Sequence, residues 1–516
     1  MSASPDDLRR LGLGVVMGCF AGPDLPGWVQ DDLRHGLGSL CLFGSNLDGD
    51  DATAAALVAR VHALAPACLV ALDEEGGDVT RLDFGRGSRT VGAAVLGAGD
   101  DVVVTRQVTA DLGRRLARVG VDLDLAPVLD VNSAPDNPVI GSRSYGADPD
   151  LVARHGVAAV HGLAEAGVAA CLKHFPGHGD TVDDSHVAAP VVQATADVLR
   201  LRELVPFAAA VAAGAEAVMT AHVLVPALDP HGPASTSAAV TALLRDELGF
   251  DGVLVTDALD MAGVSGPQAH GSVEAAAVAS LVAGADLLCL GADWDRDRVH
   301  AVVDAVVDAV RDERLTRERL EEAAGRVRRL GERCASRRSA AAVGTAGADG
   351  AAGAEGADAV AGADGVAGAD VRALAAARAA VRVTGVVPDL AGAVVVRVVQ
   401  GANAAVGSVP WGLADALAAV VPGVTATDAD PTGSPADVLG LAPGRPLVVA
   451  ARDTHRSADV RSWLDGVLAA RPDAVLVDLG WPSPGTPVPA AGALVRAHGA
   501  SPVSAAAVAA AFVAGG

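Results

Sequence analysis

Residues 168–186 read VAACLKHFPGHGDTVDDSH. The opening VAACL is an apolar run of strand length, and the glycines and proline from Pro176 onward force a loop. Helical patterns flank this unit, LVARHGVAAVHGLAEAG at 151–167 and VLRLRELVPFAAAVAAG at 198–214. The same alternation recurs through the first 337 residues, predicting strands near 12–19, 39–44, 67–73, 121–129, 168–174, 215–221, 252–257 and 285–291. Apolar strands alternating with helices imply a parallel sheet, and eight units imply a (β/α)8 TIM-type barrel, an α/β fold. A doubly wound sheet would show the same alternation, so the count alone leaves it open.

Beyond the barrel, residues 338–369 are dominated by Ala, Gly and Asp (GADGAAGAEGAD at 347–358) and read as a linker. In 370–516, VVVRVV (394–399), PLVVAAR (446–452) and AVLVDLGWP (474–482) predict buried strands, with VPWGLADALAAVV helical between the first two. A second, smaller α/β domain is expected there.

The 516-residue length suits two domains, and 51% apolar residues supply a large core; aromatics are only 3%, and Ala, Val and Gly fill the space. A net charge of −24 argues against nucleic acid or an anionic membrane as partner. None of the six cysteines forms a C-x-x-C pair and most sit in apolar runs, so buried thiols are expected. The start, MSASPDDLRRLGLG, has no basic region leading into an apolar one, and no apolar stretch suits a membrane span. The expected compartment is the cytoplasm. Nothing in the pattern assigns an oligomeric state.

The densest chemistry lies in KHFPGHGDTVDDSH, 173–186, where Lys173, His174, His178, Asp180, Asp183, Asp184 and His186 crowd a loop. In a barrel, loops at the carboxyl ends of strands build the active site. Asp184 stands two residues from His186, a spacing that lets a carboxylate fix an imidazole tautomer and raise its basicity. Other polar residues stand where strands are predicted to end: Asp73, followed by Glu74 and Glu75, then Asp130, His222 and Asp257, with Arg81 and Arg143 in nearby loops. Charge recurring at one end of successive strands predicts one shared pocket.

The 173–186 segment closely resembles the loop of the glycoside hydrolase family 3 β-N-acetylglucosaminidases, K-H-F-P-G-H-G-x-T-x-x-D-S-H. LDEEGGDVTRL, LAPVLDV, IGSRSY, MTAHV, PAST and LGFDGVLVTDALDM resemble further blocks of that family in the same order, covering about residues 10–335. VVAARDTHR and VLVDLGWP are similar to the accessory domain of two-domain members. The resemblance implies a retaining exo-glycosidase that removes terminal β-linked N-acetylglucosamine without metal or other cofactor. It implies Asp257 as nucleophile, His186 as general acid/base and Asp184 as its partner, with Asp73, Arg81, Arg143, Lys173 and His174 holding the terminal sugar. Two departures stand out: Thr256 and Ala258 flank the nucleophile where the family pattern has Ser and Asp, and Asp78 replaces the Arg often found in G-G-R-V.

A neutral imidazole in place of a carboxylate would not repel anions, so phosphate could compete with water and make the enzyme a phosphorylase. A β-glucosidase of the same family is a further alternative. Outside that chemistry, His174, His178 and His186 with an Asp could bind zinc, Asp73-Glu74-Glu75 suggests substrate-assisted hydrolysis, and a sugar-binding protein without catalysis remains possible despite few aromatics. Muropeptides, chitin oligosaccharides and glycoconjugates all end in N-acetylglucosamine, and the pattern does not choose among them.

Overall fold

The computed structural model of the chain describes residues 5–181, 189–266, 269–348, 371–400, 412–483 and 485–514. They form two compact units. The first comprises Met1–Glu74, Thr105–Ala134 and Ala147–Gly353, and the second Glu75–Val104, Pro135–Gly146 and Ala354–Gly516.

The first unit is the barrel. Its strands are β1 (Val16–Gly18), β2 (Ser39–Cys41), β3 (Leu69–Leu72), β4 (Leu123–Asp124), β5 (Ala169–Phe175), β6 (Ala217–Thr220), β9 (Val253–Thr256) and β10 (Leu288–Cys289). A small antiparallel ribbon, β7 (Leu224–Val225) and β8 (Asp229–Pro233), interrupts the series. The eight-stranded sheet runs β10-β1-β2-β3-β4-β5-β6-β9, every pairing parallel. A parallel bridge between Val255 and Leu287 joins its two ends, with Thr256 N–H donating to Leu287 C=O at 2.9 Å. All eight predicted strands are present, and the closed order decides for the barrel over the doubly wound sheet.

The interior is filled by small and medium side chains, among them Met17, Cys41, Ala71, Leu123, Cys171, Met219 and Val255. Val327, Leu330 and Cys334, on the helix Arg317–Ala348, join this core. That helix crosses the amino-terminal ends of the strands: Gly331 lies so close to Ala67 C=O that a Cβ would stand 1.9 Å from it. Its arginines meet acids just ahead of strands, Arg338 at Asp122, Arg337 at Glu216 and Arg319 at Asp286. All six cysteines are buried and unpaired. Among the described residues no helix is long and apolar enough to cross a membrane.

The second unit holds a six-stranded sheet: β11 (Arg382–Gly385), β12 (Val394–Val398), β13 (Thr425–Ala429), β14 (Leu447–Ala451), β15 (Val475–Asp478) and β16 (Ala493–Arg496), ordered β11-β16-β15-β14-β12-β13. Only β11 is antiparallel to its neighbour. Alternate residues feed two cores. Val448 packs with Leu417 and Val508 on one face, and Val449 with Trp463 and Val467 on the other. Burial on both faces is why β12, β14 and β15 read as continuous apolar runs. Within this unit Gly97 leaves room for Tyr145 C=O, 1.8 Å from where a Cβ would sit.

Asp286 is fully buried and accepts from Leu254 N–H at 3.0 Å, Arg245 Nη2 at 2.6 Å and Arg319 Nη2 at 2.7 Å, beside the seam where β9 meets β10. Removing one partner of a buried ion network leaves the other charges uncompensated, at about 3–5 kcal/mol. Asp286→Ala should therefore lower the unfolding free energy measured by urea titration by that amount, whereas a change within about 0.5 kcal/mol, roughly what a surface substitution costs, would count against the assignment.

Candidate active site

In the barrel unit the carboxyl ends of β3, β4, β5, β6 and β9 carry Asp73, Asp130, Lys173 with His174, His222 and Asp257. β5 continues through Lys173 and His174 to Phe175, where Pro176 and Gly177 turn the chain into the loop. Lys173 is 1% exposed, and its Nζ meets Asp73 Oδ1 at 2.6 Å, a charge-assisted bond linking the ends of β5 and β3, which flank β4.

Asp130 is the hub of the loop. Fully buried, it takes His174 Nδ1 at 2.7 Å on Oδ2 and His178 N–H at 2.7 Å on Oδ1, with His174 N–H at 3.3 Å from both oxygens. Burial alone would raise this carboxyl, but the charges and hydrogen bonds of His174 and His178 outweigh it and hold its pKa below 3.8. His178 hydrogen-bonds Thr181 Oγ1 through Nδ1 at 2.9 Å, and burial pushes it down to about 4, so it is neutral at pH 7.

Asp257 follows β9 and is partly exposed. Its Oδ1 accepts Ala258 N–H at 2.8 Å, and its own N–H donates to Thr220 C=O on β6 at 3.0 Å. Burial opposes ionisation here too; His174, His222, the Ala258 N–H and Lys173 prevail and keep the carboxyl below its ordinary pKa. His222, fully buried and lowered by that burial, donates Nε2–H to Ala258 C=O at 3.0 Å and accepts from Ser235 Oγ at 2.7 Å. The MTAH and PAST segments thus fix the backbone beside Asp257. Thr256 accepts Cys289 N–H on its Oγ1 at 3.0 Å, a bond of the barrel seam. Deeper, burial pushes the Asp124 carboxyl well above its ordinary pKa, and its Oδ1 accepts Glu74 N–H at 3.1 Å.

Of the residues singled out in the sequence, Asp73, Lys173, His174 and Asp257 are brought to the carboxyl ends of β3, β5 and β9 in the barrel unit. Arg81 and Arg143 fall in the second unit, where Arg143 makes a two-bond ion pair with Glu75 at 2.8 and 2.9 Å. Asp184 and His186 lie outside the described residues. Asp78 has a defined role: buried in the second unit, it takes Arg452 Nη2 at 2.6 Å, Ser142 Oγ at 2.6 Å and Ala500 N–H at 2.9 Å. An acid at that position answers the basic residue of the C-terminal region. Among the described residues no three His, Cys, Asp or Glu side chains converge as a metal-ligand set.

Residues 28–330 match the glycosyl hydrolase family 3 N terminal domain. Among curated proteins, Beta-hexosaminidase A of Pseudoalteromonas piscicida is 34% identical over 328 residues, 58% of this chain and 53% of that protein, so the chain spans about half that relative's length. Beta-hexosaminidase of Methylococcus capsulatus is 36% identical over 272 residues, 52% of this chain and 80% of that protein. Among solved structures, a family 3 β-N-acetylglucosaminidase from Paenibacillus sp. str. FPU-7 aligns with TM-score 0.84 and 29% identity, covering 99% of this chain and 97% of that one.

A carboxyl whose folded pKa lies below its unfolded value stabilises the fold above the unfolded value and ceases to as pH falls through the folded one. Asp257 is such a group, its pKa lying below 3.8. Asp257→Asn should therefore lose less thermal midpoint than the parent protein between about pH 4.5 and about pH 2.5. Parallel melting curves by circular dichroism would contradict the electrostatic account of Asp257.

Proposed function

The chain belongs to glycosyl hydrolase family 3, and on that premise we propose that it is a retaining exo-β-N-acetylhexosaminidase that releases terminal β-linked N-acetylglucosamine. The observation that carries this reading is Asp257: a reachable carboxylate at a strand's carboxyl end, kept ionised against burial by nearby cationic and N–H groups. Such a group is ready to act as a nucleophile without first losing a proton. The relatives' shared name, beta-hexosaminidase, supplies the substrate class.

In the proposed mechanism Asp257 attacks the anomeric carbon as the glycosidic bond breaks. His186 gives its proton to the departing oxygen, and Asp184 orients the imidazole and stabilises its cation. The resulting glycosyl–enzyme ester is opened by water, whose proton passes to His186, restoring both groups. Lys173 and Asp73, paired at 2.6 Å, offer a donor and an acceptor to adjacent sugar hydroxyls, and His174 is fixed by Asp130. The assignments of Arg81, Arg143, Asp184 and His186 rest on the sequence resemblance. Water is the proposed acceptor of the glycosyl group, and a role in turnover of cell-wall fragments ending in N-acetylglucosamine is the proposed setting.

A panel of aryl β-glycosides (N-acetylglucosaminide, N-acetylgalactosaminide, glucoside), each with and without millimolar phosphate, tests the proposal. The N-acetylglucosaminide should be preferred and should yield free sugar. Formation of sugar 1-phosphate would replace hydrolysis by phosphorolysis, and preference for the glucoside would overturn the substrate class. A 2-fluoro glycosyl fluoride should label Asp257, and Asp257→Asn should lower kcat on the order of 10³-fold or more. Labelling elsewhere would refute the nucleophile assignment.

A further inference from the structure

Glu203 is 1% exposed, at the end of a π-helical turn, Leu199–Glu203, that leads into the helix Leu204–Ala212. Its Oε1 accepts Arg202 Nε at 2.6 Å, while its buried Oε2 has no hydrogen-bond partner among the described residues. The same guanidinium reaches the loop after β5, where Arg202 Nη2 meets Asp180 Oδ2 at 2.6 Å. Asp180 Oδ1 in turn accepts from Ser133 Oγ at 3.3 Å.

Two glycines show how tightly the loop is gripped. Gly177, at φ +131°, lies against Glu203, and a Cβ there would stand 2.8 Å from Oε2. On the other side a Cβ at Gly179 would come within 1.8 Å of Val131 C=O, and Gly179 C=O accepts Ala134 N–H at 3.1 Å. The segment Gly177–Thr181 is thus held between the strand-end segment 130–134 and the Arg202–Glu203 pair. Burial pushes Glu203 up to about 7 against the pull of Arg202, with Asp130 and Asp180 adding to the rise. A buried ion pair is weak as a stabiliser, and the proposed mechanism uses neither residue.

We propose that Arg202 and Glu203 are positioning residues for the general acid: they anchor the Gly177–Thr181 stem from which the chain continues to Asp184 and His186. The inference rests on the reading of His186 as acid/base. A displaced acid cannot protonate the departing oxygen well, but it does not weaken Asp257, so the harm falls on leaving groups that need a proton.

The test compares kcat/KM, which reports the bond-breaking step, on two β-N-acetylglucosaminides. One carries 2,4-dinitrophenolate, which departs unprotonated; the other carries a simple alkyl alcohol, which needs the proton. Glu203→Ala and Arg202→Met should each lose about tenfold to 10²-fold on the alkyl glycoside, part of what general acid catalysis contributes, and less than about threefold on the dinitrophenyl glycoside. Glu203→Gln keeps an acceptor for Arg202 and should recover most of the alkyl rate. Equal losses on both substrates, or none on either, overturn the positioning role. His186→Ala is run alongside: a leaving-group-dependent loss there but not in the Arg202 and Glu203 variants sinks only the positioning role. If His186→Ala itself loses equally on both substrates, the acid/base reading fails first.

Discussion

A nucleophilic carboxylate must leave enough water to react and yet remain charged, and burial sets those two demands against each other. At Asp257, the proposed nucleophile, the barrel meets both with neighbours rather than with solvent. The Ala258 N–H, His174, His222 and Lys173 all favour the ionised form, and together they overcome the desolvation that would protonate it. At Asp124 the balance falls the other way: burial, with the charges of Glu74 and Asp73 adding to it, outweighs the Glu74 N–H and Lys173, and the carboxyl is pushed well above the usual range. Two aspartates of one barrel are thus shifted in opposite directions by what surrounds them.

The same economy of partners organises the loop after β5. Asp130 fixes His174 through the ring and His178 through the backbone, so one carboxylate sets the path of several residues. His222 does the corresponding work for the chain after Asp257, using both ring nitrogens in a single tautomer. Each thus fixes the geometry of a neighbour, Asp130 that of His174 and His222 that of the chain beside Asp257. This is how side chains carried by five different strands can present groups with a spacing finer than backbone variation alone would allow.

Much of the architecture was legible because it is dictated by hydrophobic runs. The barrel strands and the central strands β12, β14 and β15 are largely buried on both faces, so their sequences are predominantly apolar, with Lys173 and His174 of β5 and Arg397 of β12 among the exceptions. β13 and β11 were not legible: TATDA and RVTG lie at the sheet's edges with most side chains exposed, and carry no apolar signal. Strand-end residues could be identified by position, since a charge after an apolar run has to emerge somewhere. Their partners could not be. Nothing in the spacing of Asp130 and His174, or of Asp78 and Arg452, announces that they meet, and Glu203 sits in a helical stretch where an acid ordinarily faces water.

Position alone also fails to separate the two ends of the barrel. Asp122, Glu216 and Asp286 sit just ahead of strands as Asp73, Asp130 and Asp257 sit at or beyond their ends, and the sequence shows only acids flanking apolar runs. The partners make the difference. At the amino-terminal end the acids meet arginines of the helix Arg317–Ala348, whose guanidinium stays protonated and suits a permanent clamp. At the carboxyl end they meet lysine, histidine and backbone N–H groups, which can exchange protons or yield a hydrogen bond to an arriving hydroxyl. A permanently clamped end and an end with exchangeable partners can therefore be told apart by the chemistry of the bases, even where the acids are the same residue type.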